Sequence, residues 1–463
     1  MKLTSILLAT FVVLQAPFSA DQSKDIEHRA KVKPSQRIEI TGLSGSKIEF
    51  KTWDKDEVYL RLSLRISASD EDYEKEYINS FEVQERTTEG SIILAFKEPR
   101  RDVSSGIWSI FKGGSYVRKE ITGEVFVPRA NPLTTDLSYG SLSMTGIKGE
   151  LNVLGKNNTL TLTDCANLHR ITNNYGTTEV ENGGGSLDLS GTSSTITVSN
   201  FAGPASVDAN YSEIKMIGVA GTVSVKSQSG KHTFEDIGGN LTIRSKYSTM
   251  SISNVKGLLD IASQSGRVKA RNVQGLIVDA PYTTIDAVDV TGINGKDVVI
   301  SDQSATITLE NIRGNTIITS PYSTIELRNI EGSVDIETKS GKVNARGVSG
   351  NWKSRTEYSR ITLVELKSKE IFMTNKSGNI DADLLVVPSV IDIRNEYATV
   401  DVSIPRGFSG DISLDAEYGT VKTDFSIQTR NRGSSGYAVG KVGSGTGKIA
   451  IETRSGNIEL TQK

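Results

Sequence analysis

Residues 247–270 read YSTMSISNVKGLLDIASQSGRVKA. Met250 and Ile252 alternate with Thr249, Ser251 and Ser253, and Leu259 and Ile261 flank Asp260. A period of two is what a half-buried strand requires. Val255 and Gly257 stand between the two pairs, and the phrase begins again at Ser265, eighteen residues after Tyr247. Worked outward in both directions, the same step joins Tyr139, Asn157, Tyr175, Ser193, Tyr211, Ser229, Tyr247 and Ser265. It loosens but continues through Tyr282, Ser304, Tyr322, Ser340, Tyr358, Ser377, Tyr397, Tyr418 and Ser455.

Counted from each marker, apolar residues fall at +3, +5, +8, +12 and +14, and glycine is frequent at +10. Leu142, Met144, Ile147, Gly149, Leu151 and Val153 make one such unit; Ile325, Leu327, Ile330, Gly332, Val334 and Ile336 make another. A short strand pair cannot bury its apolar face alone, whereas stacked copies form one continuous core. The expected fold is therefore all-β: a parallel β-helix or β-solenoid, with glycine at corners that need positive φ or close approach. Tyr and Ser alternate at the marker, so the chemistry has a 36-residue superperiod over an 18-residue half-repeat. Aromatic rings attract at centroid separations of about 4.5–7 Å, so a 36-residue coil of four strands, stacking Tyr on Tyr, is expected over an 18-residue one.

The ends differ. Lys2 and the apolar run Ile6 to Leu14, followed by Ala16 and Ala20, read as a signal peptide over residues 1–20. No other stretch approaches the ~20 apolar residues of a membrane helix. Residues 21–130 lack the repeat and read as a small β-rich cap, with strands at Ser46 to Trp53, Glu57 to Ile66 and Ile121 to Val127. Asp70 to Phe81 reads as a short helix or polar excursion, Phe81 to Phe96 as a hairpin, and Arg100 to Gly114 as a loop. The repeat domain spans 131–463, with a Gly/Ser-rich excursion at 431–448 and final strands, Lys448 to Thr453 and Asn457 to Thr461, that are expected to close the stack.

Composition limits the chemistry. Among 463 residues there are 53 Lys plus Arg, 55 Asp plus Glu, three His and one Cys. The balance of charge speaks against a nucleic-acid partner. A lone Cys165 excludes an internal disulfide and a Cys-rich metal site. His169 and His232 occupy different strand slots and do not form a ligand pair. The stretch Gly183-Gly184-Gly185-Ser186-Leu187-Asp188 resembles calcium-binding nonapeptides but occurs once, so no metal and no cofactor is expected.

The phrases Ser265-Gly266-Arg267-Val268-Lys269-Ala270, Ser340-Gly341-Lys342-Val343-Asn344-Ala345, Ser377-Gly378-Asn379-Ile380 and Ser455-Gly456-Asn457-Ile458-Glu459-Leu460 share one pattern. Gly45-Ser46-Lys47-Ile48-Glu49-Phe50, Trp53-Asp54, Glu57-Val58 and Val125-Phe126-Val127-Pro128 precede it. In this order they resemble the exported bacterial strand-repeat proteins named putative adhesins, of the DUF4097 type. The resemblance implies an exported β-helix of the bacterial surface or periplasm, or a secreted one, and brings no catalytic residues.

The expected function is thus a non-enzymatic solenoid that binds a cell-surface macromolecule or glycan. The Tyr edge (Tyr175, Tyr211, Tyr247, Tyr322, Tyr358) is the first candidate surface. The alternative is a polysaccharide-active enzyme built on the enlarged coil at 284–303, with Asp286, Asp289, Asp297 and Asp302 as its carboxylates. A further alternative is an envelope-stress regulatory module with a membrane partner.

Overall fold

A computed structural model describes residues 22–68, 71–98, 117–292 and 298–463. The expected signal peptide, the loop at Arg100 to Gly114 and Asp297 lie outside the described residues. The chain divides into two compact units, Met1–Gly149 and Glu150–Lys463.

In the first unit, Arg37–Ser44 pairs in parallel with both Ser91–Lys97 and Leu133–Ser138, and Ser46–Trp53 with both Val117–Pro128 and Ser141–Thr145. Residues 37–53 therefore already form a two-strand coil, although they carry no Tyr/Ser marker. Antiparallel strands are laid on that coil. Glu57–Ala68 joins Val117–Pro128, Gln22–Lys31 joins Glu57–Ala68, and Glu82–Thr87 forms the expected hairpin with Ser91–Lys97. The charged segment is a helix, Glu71–Ser80, seated through Tyr77, with Phe81 buried just after it.

The second unit is a parallel β-solenoid. Each strand pairs with the strand one repeat later: Met250 with Val268, Ile252 with Ala270, Val255 with Val273, and Leu259 with Leu276. Tyr247 stands beside Ser265, not beside another tyrosine. The coil is therefore about 18 residues long with two strands, and the expected 36-residue coil is corrected. Stacking cannot favour the longer coil, because the rings lie outside the core and gain little from one another there. The +3, +5, +8, +12 and +14 side chains do fill the interior, as Met250, Ile252, Val255, Leu259 and Ile261 illustrate. Each such side chain contributes about 1.5–3 kcal/mol of apolar burial.

The corners have separate causes. At +10, glycine answers a close approach: a Cβ on Gly350 would lie 2.2 Å from the Gly332 carbonyl carbon. Positive φ recurs at +7, where Asn254, Asn272, Asn311 and Asn329 sit in the left-handed region that asparagine tolerates. Their side-chain amides hydrogen-bond from coil to coil, Asn272 Nδ2 to Asn254 Oδ1 at 2.8 Å and Asn329 Nδ2 to Asn311 Oδ1 at 3.1 Å.

The C-terminal end departs from chain order. Gly447–Ser455 lies between Val390–Tyr397 and Gly410–Tyr418, and Ile458–Gln462 lies between Val400–Ile404 and Val421–Thr423. The last strands do not close the stack, as alternation alone implied; they are inserted beneath the coil at 410–423. That outer coil is covered by Ser435–Val442, which runs antiparallel to Gly410–Tyr418 and pairs with Gln428–Arg432. Asn431 accepts from Val421 N–H and donates to its carbonyl, both at 3.0 Å, satisfying one stretch of open edge.

Candidate functional site

The tyrosines of the solenoid unit stand at one corner of every second coil, between its two strand segments. Tyr175 and Tyr211 hold that corner with φ of 58° and 55°. Tyr247 and Tyr282 begin their strands. Their rings point outward: Tyr175, Tyr211, Tyr247, Tyr282, Tyr322, Tyr358, Tyr397 and Tyr418 are 47% to 61% exposed, while the aliphatic core residues beside them are buried. Five of the eight were expected from the sequence; Tyr282, Tyr397 and Tyr418 complete the row. Register puts Ser265 between Tyr247 and Tyr282, so successive rings are two strand spacings apart, about 9.6 Å.

Hydrogen-bonding groups fill the gaps. Before three of the serine markers, Ser229, Ser377 and Ser455, the preceding residue reaches the neighbouring tyrosine. Gln228 Oε1 accepts from the Tyr211 hydroxyl. Lys376 Nζ lies 5.8 Å from the Tyr358 ring centroid, within cation–π range. Arg454 Nη1 donates to the Tyr397 hydroxyl at 3.4 Å. Beside the last three tyrosines the surface opens into a groove of about 690 Å³, whose walls include Glu357, Glu396 and Glu417, with Lys376, Arg394 and Arg454.

The acidic coil is not assembled in the same way. Asp286 is half-buried on Tyr282–Thr291, opposite Lys269. Asp289 lies at the +7 corner with φ 58°, exposed, and accepts from Asn311 Nδ2 at 2.9 Å. Asp302 is 5% exposed and turned inward, where its Oδ2 accepts from the hydroxyls of Ser320 at 3.0 Å and Ser323 at 2.6 Å. The backbone N–H groups of Gln303 and Ser304 both donate to Pro281, which places Asp302 beside the start of a strand that ends past Asp289. Seven residues of strand separate those ends by roughly 20 Å, beyond the ~5–10 Å over which paired carboxylates act on one glycosidic bond. Asp302 occupies the −2 slot that holds Ser245, Ser263 and Ser320 in other coils. Lining up that slot across the repeats is the signal that would have separated it from the loop acids.

The remaining titratable candidates are structural. His232 is buried, with Nε2 3.0 Å from Ser248 Oγ, and burial pushes its pKa below the ordinary imidazole value. His169 is exposed, 3.2 Å from Asn152 Oδ1, and Cys165 is buried in the core. Among the described residues, no group of three or more His, Cys, Asp or Glu side chains is placed to hold a metal ion.

No curated protein matches this sequence. A crystal structure titled as a "putative cell adhesion protein" from Clostridium sporogenes is similar over 95% of this chain and 100% of its own, at 10% identity and a TM-score of 0.14. The family model described as Toastrack DUF4097 matches residues 220–461, more than half of the chain and the greater part of its solenoid. The chain belongs to the Toastrack DUF4097 family.

Proposed function

We propose that this protein is an exported, non-enzymatic β-solenoid of the adhesin type, which binds another macromolecule along its tyrosine edge. One observation carries the reading: eight aromatic side chains stand exposed in a single row while the coils beneath them bury their apolar residues. A single exposed aromatic is ordinary on a protein surface. A contiguous apolar feature rimmed by polar groups marks an interaction site. Aromatic rings flanked by amide and cationic groups also match the composition of binding surfaces, where Tyr and Arg are enriched. Export rests on the leader-like residues 1–20. It agrees with the finding that, among the described residues, no helix is long and apolar enough to cross a membrane.

The test replaces Tyr211, Tyr247 and Tyr322 with Ser. The variant is expected to keep its circular dichroism spectrum and melting temperature, because these rings lie outside the core. It should lose attachment to bacterial or host cell surfaces and to isolated wall material. Attachment equal to that of the unaltered protein would refute the reading.

A further inference from the structure

We infer that the tyrosine edge is a track for one extended β-1,4-linked glycan chain, lying across the strands and meeting a tyrosine once per disaccharide. The inference rests on the tyrosine-edge reading and names its ligand. It begins from the end of the solenoid. In chain order the markers run Tyr397, Tyr418, Ser455, and the Tyr/Ser alternation fails. In space, Asn395 pairs with Thr453 and Tyr418 with Ser455, so the order is Tyr397, Ser455, Tyr418. The inserted coil restores the alternation. At the enlarged coil, where 22 residues separate Tyr282 from Ser304, Ile285 still pairs with Ile307. Two coils per tyrosine is thus kept in three dimensions where the sequence spacing is not.

Packing explains only half of that pattern. Five of the seven serine markers are followed by glycine, and a Cβ there would strike the coil before: on Gly230, Gly266 and Gly341 it would lie 2.0, 2.0 and 2.1 Å from the carbonyl oxygens of Ser212, Ser248 and Ser323. That contact requires a small residue at the glycine position and places no demand for a ring on the coils between. The tyrosines are surplus to the backbone.

Two strand spacings, about 9.6 Å, match the interval at which an extended β-1,4-linked pyranose chain presents the same ring face again, since alternate sugars are turned over. Aromatic rings at that interval can each meet the apolar C–H face of every second sugar. Gln228, Lys376 and Arg454, lying between rings, supply the polar partners for hydroxyl groups of the intervening sugars. Chains that coil, such as α-1,4- or β-1,3-linked glucans, do not keep this register.

The experiment is co-sedimentation of the full chain with microcrystalline cellulose and with chitin, against insoluble starch and a β-1,3-glucan. Binding to at least one β-1,4-linked glycan and to neither coiled glycan is expected. Each ring removed should weaken it by roughly two- to tenfold. The decisive variant combines Tyr247→Ser with Ser265→Tyr, which keeps the number of rings but changes two equal intervals into unequal ones. It should bind about as weakly as Tyr247→Ser alone, at an unchanged melting temperature. Full binding by the exchanged variant, or equal binding to the coiled glycans, overturns the inference. So does binding to neither β-1,4-linked glycan. In that case the Tyr211/Tyr247/Tyr322 variant decides the broader reading: lost cell attachment leaves the tyrosine edge standing, and retained attachment removes both.

Discussion

Replacing Ile451 with Ala tests the inserted C-terminal coil directly. Ile451 is fully buried and stands between Ile393 on one side and Leu414 on the other, both fully buried as well. Truncating such a side chain costs about 2–5 kcal/mol, the loss of transfer free energy plus the cavity left behind. Contacts on both flanks restrict collapse, which puts the expected value near 3 kcal/mol. In a stack stabilised by nearest neighbours, that loss falls on the coils it joins. If Gly447–Ser455 were the outermost coil, only its own amides would be released. Because it is internal, the strand Gly410–Tyr418 should open with it, together with Ser435–Val442 packed outside. Native-state hydrogen exchange reads this as a matched drop in protection at residues 410–416 and 447–453, with residues 250–270 unchanged. Accelerated exchange at 449–453 alone, or a cost below about 1 kcal/mol, would refute the insertion argument.

Three further outcomes follow from the same packing. Gly266→Ala should destabilise by about 1–3 kcal/mol, read as a lower urea midpoint with unchanged slope, because its Cβ would lie 2.0 Å from the Ser248 carbonyl oxygen. Asp401 has its pKa raised by burial, and further by Asp381 and Glu459. Its contribution is intact below the ordinary carboxylate value and is lost as pH rises through the raised folded value, so Asp401→Asn should raise the melting temperature at pH 7 and change it little at pH 3. His232 has its pKa lowered by burial, so stability is full above the ordinary imidazole value near 6.5 and falls as pH drops below it. His232→Gln should flatten the dependence of melting temperature on pH between about 7 and 5.

The interior of the coil was legible because burial imposes a period on each strand. Met250, Ile252, Leu259 and Ile261 announce which face is inside without knowledge of any partner. Coil length was not legible from the same signal. A repeating strand records which of its faces is buried, but the identity of its neighbour is a property of register, and aromatic attraction pointed to the wrong one. The topology at the C-terminus was hidden for a related reason: Ile449, Ile451, Ile458 and Leu460 would look the same in an outer coil as in an inner one. The failed alternation at Tyr397, Tyr418 and Ser455 was the visible trace of it. The +7 corner carried a plain signal, Asn, Asp or Gly in most repeats, which attention to the apolar positions passed over. At the candidate site the sequence located the tyrosines but not Asp302. An acid in an enlarged coil reads as a loop acid until the neighbouring coils place it in an inward slot.

The inserted coil also sets a condition on time. Synthesis delivers residues 410–423 before 447–462, yet in the finished stack the earlier segment rests on the later one. Coils up to Ile404 can add one after another as they emerge. The next must wait, or dock on the wrong neighbour and be displaced. A chain ending early would leave the strands at 390–404 with an open edge, the kind of edge that recruits other chains. Formation of the coil at 410–423 is thereby tied to residues 447–462.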